Sequence, residues 1–346
     1  MPPSTPAALV RRALRSRTVR AVTALVVLCA AALAWWLAAP DGVSYPAGTY
    51  GMATGSAGGV YALYGQLLKP VVERELPGVE LRLDPSAGGP DNLNRIATGK
   101  DDFGIATADA VAHYTGVGAG SLCALGQLYD DYVQLVVPAD SSITSVGDLR
   151  GKRVGTGQVG SGVKLIADRV LQVSHLDPAR GDLTAVPLSI DESSAELREG
   201  RIDAFFWSGG LPSSAVTTLS GQMRIRLIPL GTLATAMDAL AGSEDPGARN
   251  TQIYRDSTIP VSAYPKMVLQ PPQQPVSTLA VANLMVTRAD VPVGLVERMT
   301  AVLIDSRDVI GEQVHSAQMV DIRSAIYTDP LPLAEGARRY YVSVKP

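Results

Sequence analysis

From residue 41 onward, short apolar segments alternate with stretches of helical periodicity. Residues 49–54 are expected as a strand and 58–75 as a helix, with Leu63, Leu67, Leu68, Val71 and Val72 near one face. Pro77-Gly78 stops that helix, and residues 79–83 alternate as a second strand. A Gly-Gly-Pro turn at 88–90 and Asp91 open a helix over 92–97 that Gly99 ends, and 103–106 form a third strand. This βαβαβ order predicts a mainly parallel sheet with helices on both faces.

The pattern then restarts. Strands are expected over 132–137, 153–154, 184–188 and 202–207, with helices over 145–149, 163–173 and 193–199. Two similar α/β units in one chain suggest two lobes facing a cleft. Pro271, Pro272 and Pro275 mark a loop, after which the buried strand 278–286 would return the chain to the first lobe. A helix over 294–310 carries Val296, Met299, Val302, Leu303 and Val309.

The amino terminus has a different pattern. Residues 21–39 are apolar except for Thr23, nineteen residues in all, preceded by Arg11, Arg12, Arg15, Arg17 and Arg20. At ~1.5 Å per residue such a helix nearly spans a ~30 Å hydrocarbon core, and it is longer than the ~7–15 residues of a cleaved signal. Trp35 and Trp36 suit a membrane interface. A retained anchor is expected, with cleavage after Ala39 as the alternative; the body is exported in both. Leu28 before Cys29 argues against a lipid anchor, and Cys123 is the other thiol of the chain, so no internal disulfide is expected in the body.

Composition narrows the function. With 46% apolar and 18% charged residues the chain is not a disordered one. Five of its 30 basic residues and none of its 33 acidic ones lie in 1–40, which leaves 25 against 33 in the body, a net charge of −8. Such a body is a poor partner for nucleic acid. Scattered His113, His175 and His315 offer no metal site, and no cofactor is expected.

Three glycine loops stand where strands give way to helices: Thr54-Gly-Ser-Ala-Gly-Gly59, Ser86-Ala-Gly-Gly-Pro-Asp91 and Gly155-Thr-Gly157-Gln-Val-Gly160-Ser-Gly162. Free N–H groups at a helix start favour an anion, and open α/β sheets bind ligands beyond the carboxyl ends of their strands. Hydroxyls of Thr54, Ser56 and Ser86 and the bare backbone of Gly88 add to this. The third loop matches a dinucleotide pattern, but it lies in mid-chain and lacks the acid at the tip of the next strand; it also lacks the lysine of a phosphate loop. Backbone binding of a carboxylate or other small anion is the function that survives, against plain tight turns. Catalytic groupings are missing: Val159 stands where a serine nucleophile elbow around Ser161 needs glycine. Asp203 reads either as a strand-end cap or as a lone general base, and Trp207 either as a cleft wall or as core.

Taken together, Ala53-Thr-Gly-Ser-Ala-Gly-Gly-Val-Tyr61, Ser86-Ala-Gly-Gly-Pro-Asp-Asn-Leu93, Gly99-Lys-Asp-Asp-Phe-Gly-Ile-Ala106, the segment 146–155, Gly160-Ser-Gly162 and Gly200-Arg-Ile-Asp-Ala-Phe-Phe206 resemble the TAXI family, the extracytoplasmic solute-binding subunits of TRAP transporters. The resemblance runs from about residue 47 to residue 340. It implies an α/β, two-lobed periplasmic-binding-protein-like fold of type II, each lobe a central sheet flanked by helices, behind a signal or anchor helix. Its expected segments are 1–40 for the leader, 45–128 and 287–346 for one lobe, and 129–286 for the other. It implies capture of a small carboxylate resembling glutamate, glutamine or a dicarboxylate, without catalysis, for TRAP permease subunits. A membrane-anchored sensor reporting to a histidine kinase is the alternative. Thr54, Gly58 and Tyr61, then Gly160, Ser161 and Gly162, then Trp207 and Gly210 would contact the solute. Thr107 and Asp109 stand where the family places Gln-Ser-Asp, and Val163 stands where it often has Thr.

Overall fold

The computed structural model describes residues 28–29, 43–56, 59–244, 252–264, 266–268 and 272–344. The leader apart from Leu28 and Cys29, site candidate Gly58 and loop residue Pro271 lie outside the described residues. Among the described residues no helix is long and apolar enough to cross a membrane. The chain divides into two compact units, and the one that begins at Tyr45 holds all the described strands.

These strands are β1 (Gly48–Ala53), β2 (Val79–Asp84), β3 (Phe103–Thr107), β4 (Leu122–Pro138), β5 (Arg153–Gly155), β6 (Thr184–Val186), β7 (Ala204–Gly209), β8 (Ile225–Ile228), β9 (Tyr254–Ile259) and β10 (Val276–Arg288). The α-helices of the same unit are α1 (Val60–Glu75), α2 (Gly89–Ala97), α3 (Ala108–Ala112), α4 (Gly162–Val173), α5 (Ile190–Arg198), α6 (Ser214–Gln222), α7 (Ala234–Glu244), α8 (Val293–Asp305), α9 (Arg307–Gly311) and α10 (Glu335–Val344). The strand order is β2-β1-β3-β10-β4-β7-β5-β6, with β8 on β4 and β9 on β10.

The sheet is mixed, which corrects the mainly parallel expectation. β1 pairs in parallel with β2 and β3, and β5 with β6 and β7, as the βαβ units require. Between these groups run two long antiparallel strands. β10 pairs with β3 through Asn283–Thr287 and with β9 through Val276–Val281. β4 pairs with β10 along its first part and with β7 and β8 beyond Tyr132. Each therefore belongs to both halves of one continuous sheet, and the register between them shifts twice, between Ala282 and Leu284 and between Met285 and Val286.

The cores follow that division. One half buries Met52, Tyr64, Leu68, Phe103, Met285 and Met299 on one face and Leu93, Ile96, Leu122 and Leu284 on the other. The other half buries Val133, Leu135, Ile166, Val170 and Leu279 on one face and Val136, Phe205, Val216 and Ile225 on the other. This is the two-lobed α/β arrangement expected. The helix foreseen over 294–310 is broken instead at Ser306, where α8 ends; the Ser306 hydroxyl bonds back to the Leu303 carbonyl, a local competitor of the helical ladder.

In α1, Tyr64 packs inward at 0% exposure against Tyr129, ring centroids 6.2 Å apart, and its hydroxyl has no partner among the described residues. An unsatisfied buried hydroxyl costs about 1–3 kcal/mol. Tyr64→Phe should therefore stabilise the protein by about 1 kcal/mol in urea denaturation; a loss of that size would show that the hydroxyl is in use.

Candidate functional site

Four chain segments meet beyond the carboxyl ends of β1, β2, β3 and β5. The first is the start of α1. Its N-cap, Gly59, is extended and no side chain caps it, so the first-turn N–H groups keep their donors for something else. The second is the Ser86–Gly89 loop. Ser86 Oγ accepts from Gly55 N at 2.9 Å and Gly88 N at 3.2 Å, tying this loop to the first one. Gly88 holds φ +123°, and a Cβ there would stand 3.6 Å from the Gly162 nitrogen, so the loop lies directly against the start of α4.

The third segment is that start itself. Ser161 is the N-cap: its Oγ accepts from Lys164 N at 3.1 Å and donates to the Gln158 carbonyl at 2.7 Å. The Lys164 ammonium is paired with Asp168 one turn further on. Gly157, at φ +84°, lets the loop turn tightly over the helix, since a Cβ would meet Lys164 N at 2.7 Å. The fourth segment is the end of β3, where Thr107 caps α3 without a side-chain cap bond.

These segments, together with residues 188–190, the end of β7 and Asp131 of β4, line a cavity of about 100 Å³. Of the residues singled out by sequence, Thr54, Ser56, Tyr61, Gly88, Thr107, Ser161, Gly162 and Trp207 line it. Ser86 serves the loop rather than the wall. Asp109, in the first turn of α3, is fully buried and accepts from the Tyr254 hydroxyl at 2.7 Å. Gly160 faces Ala87 across the lobes, and Gly210 packs beside Ser316 and Tyr129. Trp207 is both wall and core: it lines the cavity and packs against the cluster around Phe205 and Val216. Asp203 is a strand-end carboxylate that accepts from Arg153 N at 2.8 Å and pairs with its guanidinium, which holds its pKa below the usual range.

Sequence reasoning missed an acid in the cavity wall. Asp131, on β4 where the strands pass between lobes, is 5% exposed and lines the cavity. Its Oδ1 accepts from Asn283 Nδ2 at 2.8 Å, and Asn283 Oδ1 in turn accepts from the Tyr61 hydroxyl. One buried chain therefore joins α1, β10 and β4, and Asn283 stands opposite Thr107 of β3 in the sheet register. Burial, then the nearby Asp131, Tyr129 and Asp109, hold the Tyr61 hydroxyl protonated well above its ordinary range. Burial likewise raises the Asp131 carboxyl to about 7, with Asp109 and Asp130 adding to the rise and the Asn283 bond opposing it. The signal available in the sequence was a pair of acids, Asp130-Asp131, inside a mostly apolar run.

A family model described as the NMT1-like family matches residues 52–343. Among solved structures, the chain is similar to the alkanesulfonate-binding protein SsuA from Xanthomonas axonopodis pv. citri bound to MOPS, at 17% identity over 86% of this chain and 84% of that one, with a TM-score of 0.48. It is also similar to the periplasmic aliphatic sulphonate binding protein SsuA from Escherichia coli, at 16% identity over 87% and 84%, TM-score 0.44. A putative L-cystine ABC transporter protein from Listeria monocytogenes matches at 14% identity over 79% and 98%, TM-score 0.48.

Proposed function

The chain belongs to the NMT1-like family, and from that premise and the cavity we propose that it is an extracytoplasmic solute-binding protein that captures a small carboxylate between its lobes and delivers it to a membrane permease. One observation carries the reading: helices α1 and α4, one from each half, begin at the same cavity, and α1 begins without a side-chain cap. Two positive helix ends converging on one small space favour a compact anion. The lobes in this reading are 45–128 with 287–346 and 129–286, hinged where β4 and β10 cross. Ligand binding would shift the molecule toward the closed form by its tighter fit there. In keeping with the TAXI resemblance, the partner would be a TRAP-type permease pair. Ser161, Gly162, Thr107 and Tyr61 would contact the solute.

Thermal melting of the purified chain with glutamate, glutamine, pyroglutamate and 2-oxoglutarate tests this. A ligand at ~100 times its Kd stabilises by ~2.7 kcal/mol, a rise of several degrees. Ser161→Leu removes the cap, at a cost of about 1 kcal/mol of stability, and puts a branched side chain at the wall. It should weaken binding by ~10-fold or more. If no small carboxylate shifts the melting temperature, the carboxylate reading fails.

A further inference from the structure

The helix starts make the cavity favourable to an anion, but one of its lining residues, Asp131, has the opposite character. Asp131 is nearly inaccessible to solvent, and none of the described lining residues is Lys, Arg or His. Its neighbours differ in how their charges are answered. Asp130 is paired with Arg255, and Asp109 accepts from Tyr254, beside which Arg169 also acts. The groups around Asp131 are Tyr61 from α1, Asp109 from α3, Asp130 and Tyr129 from its own strand, Ser208 from β7 and Asn283 from β10, and none of them is a cation. A buried carboxylate without a countercharge is expensive, and in a binding cavity the solute can supply it.

We propose that the captured solute is a zwitterion, whose protonated amine pairs with Asp131 while its carboxylate sits at the starts of α1 and α4. Asp131 is then the residue that selects amino-acid-like solutes over plain mono- and dicarboxylates. The inference rests on the carboxylate reading and narrows it. Asn283 holds one Asp131 oxygen in place at 2.8 Å through the chain that begins at Tyr61, so the carboxylate is oriented before a solute enters. Thr107 Oγ1, buried and without a partner among the described residues, stands 3.9 Å from where a Cβ on Gly162 would be, at the carboxylate end. The protonation state follows the same arrangement. An amine requires ionised Asp131, so affinity for an amine-bearing solute should rise as pH passes upward through about 7.

Calorimetric titration of the full chain with pairs that differ only by the α-amine tests this: L-glutamate with glutarate, L-leucine with 4-methylpentanoate, L-alanine with propionate. In at least one pair the amine-bearing member should bind about 30-fold more tightly or better, the range for a buried charge pair. Asp131→Asn should bring the two members within about threefold, by weakening the amine-bearing one, and should remove the rise with pH. A deaminated member that binds as tightly as its partner, or an Asp131→Asn protein that keeps the preference, overturns the inference and leaves the carboxylate reading standing. Binding of no member of any pair overturns that reading and this one together.

Discussion

Without ligand, the Asp131→Asn protein is expected to be about 2–4 kcal/mol more stable than its parent at pH 8 and nearly equal to it at pH 4.5. In the folded chain burial raises the Asp131 carboxyl to about 7, reinforced by Asp109 and Asp130 and opposed by Asn283 and Ser208. In the unfolded chain it titrates near 3.9, so the gap is worth about 4 kcal/mol. Between those values the folded state holds a proton that the unfolded state has released. Its favourable contribution is therefore complete below about pH 4, declines as pH rises, and is gone above about 7. Asparagine has no proton to lose, and its amide oxygen can still accept from Asn283. Because every other carboxylate is shared by the two proteins, the difference in their urea denaturation at pH 4.5, 6 and 8 isolates this group. A difference that does not change with pH would mean that Asp131 is not buried as an acid.

Asn283→Leu should have an effect of similar size and opposite sign. The amide of Asn283 donates to Asp131 and accepts from Tyr61, both in the buried crossing of β4 and β10. Leucine would leave the carboxylate and the phenol without those partners. Removing one member of a buried charged network costs about 3–5 kcal/mol, chiefly because the remaining groups stay desolvated. The loss should be smaller in an Asp131→Asn background, where no charge is stranded; the double-mutant cycle measures that coupling. A loss below about 1 kcal/mol at pH 7 would remove the Tyr61–Asn283–Asp131 chain from any structural role.

Local periodicity carried much of the fold. The apolar stripe of α1 and the alternation of β2 led to elements within one or two residues of those observed, and the glycine loops marked the starts of α1, α2 and α4. The first half of β4 was not legible. Gly126, Asp130 and Asp131 are residues that strands disfavour, so the run from 132 to 137 stood out and 122–131 did not. β9 has one buried residue at each end with more exposed positions between, and is held by its neighbour β10 rather than by its own propensity. α6, with Thr, Ser and Gly in its sequence, is similarly a product of packing.

The site divides in the same way. The sequence alone determined the glycine-rich helix starts, the hydroxyls beside them and the acidic body, since these depend on neighbours in the chain or on composition. The tertiary structure decided that two long antiparallel strands, not parallel ones, join the lobes. It also decided that Asp131 faces the cavity while the adjacent Asp130 pairs with Arg255, and that Asn283 reaches both Asp131 and Tyr61, 152 and 222 residues away. The physical reason is that a strand's partner, a side chain's facing and a carboxyl's pKa are set by what packs against them. Those neighbours come from distant parts of the chain, and no local pattern encodes them.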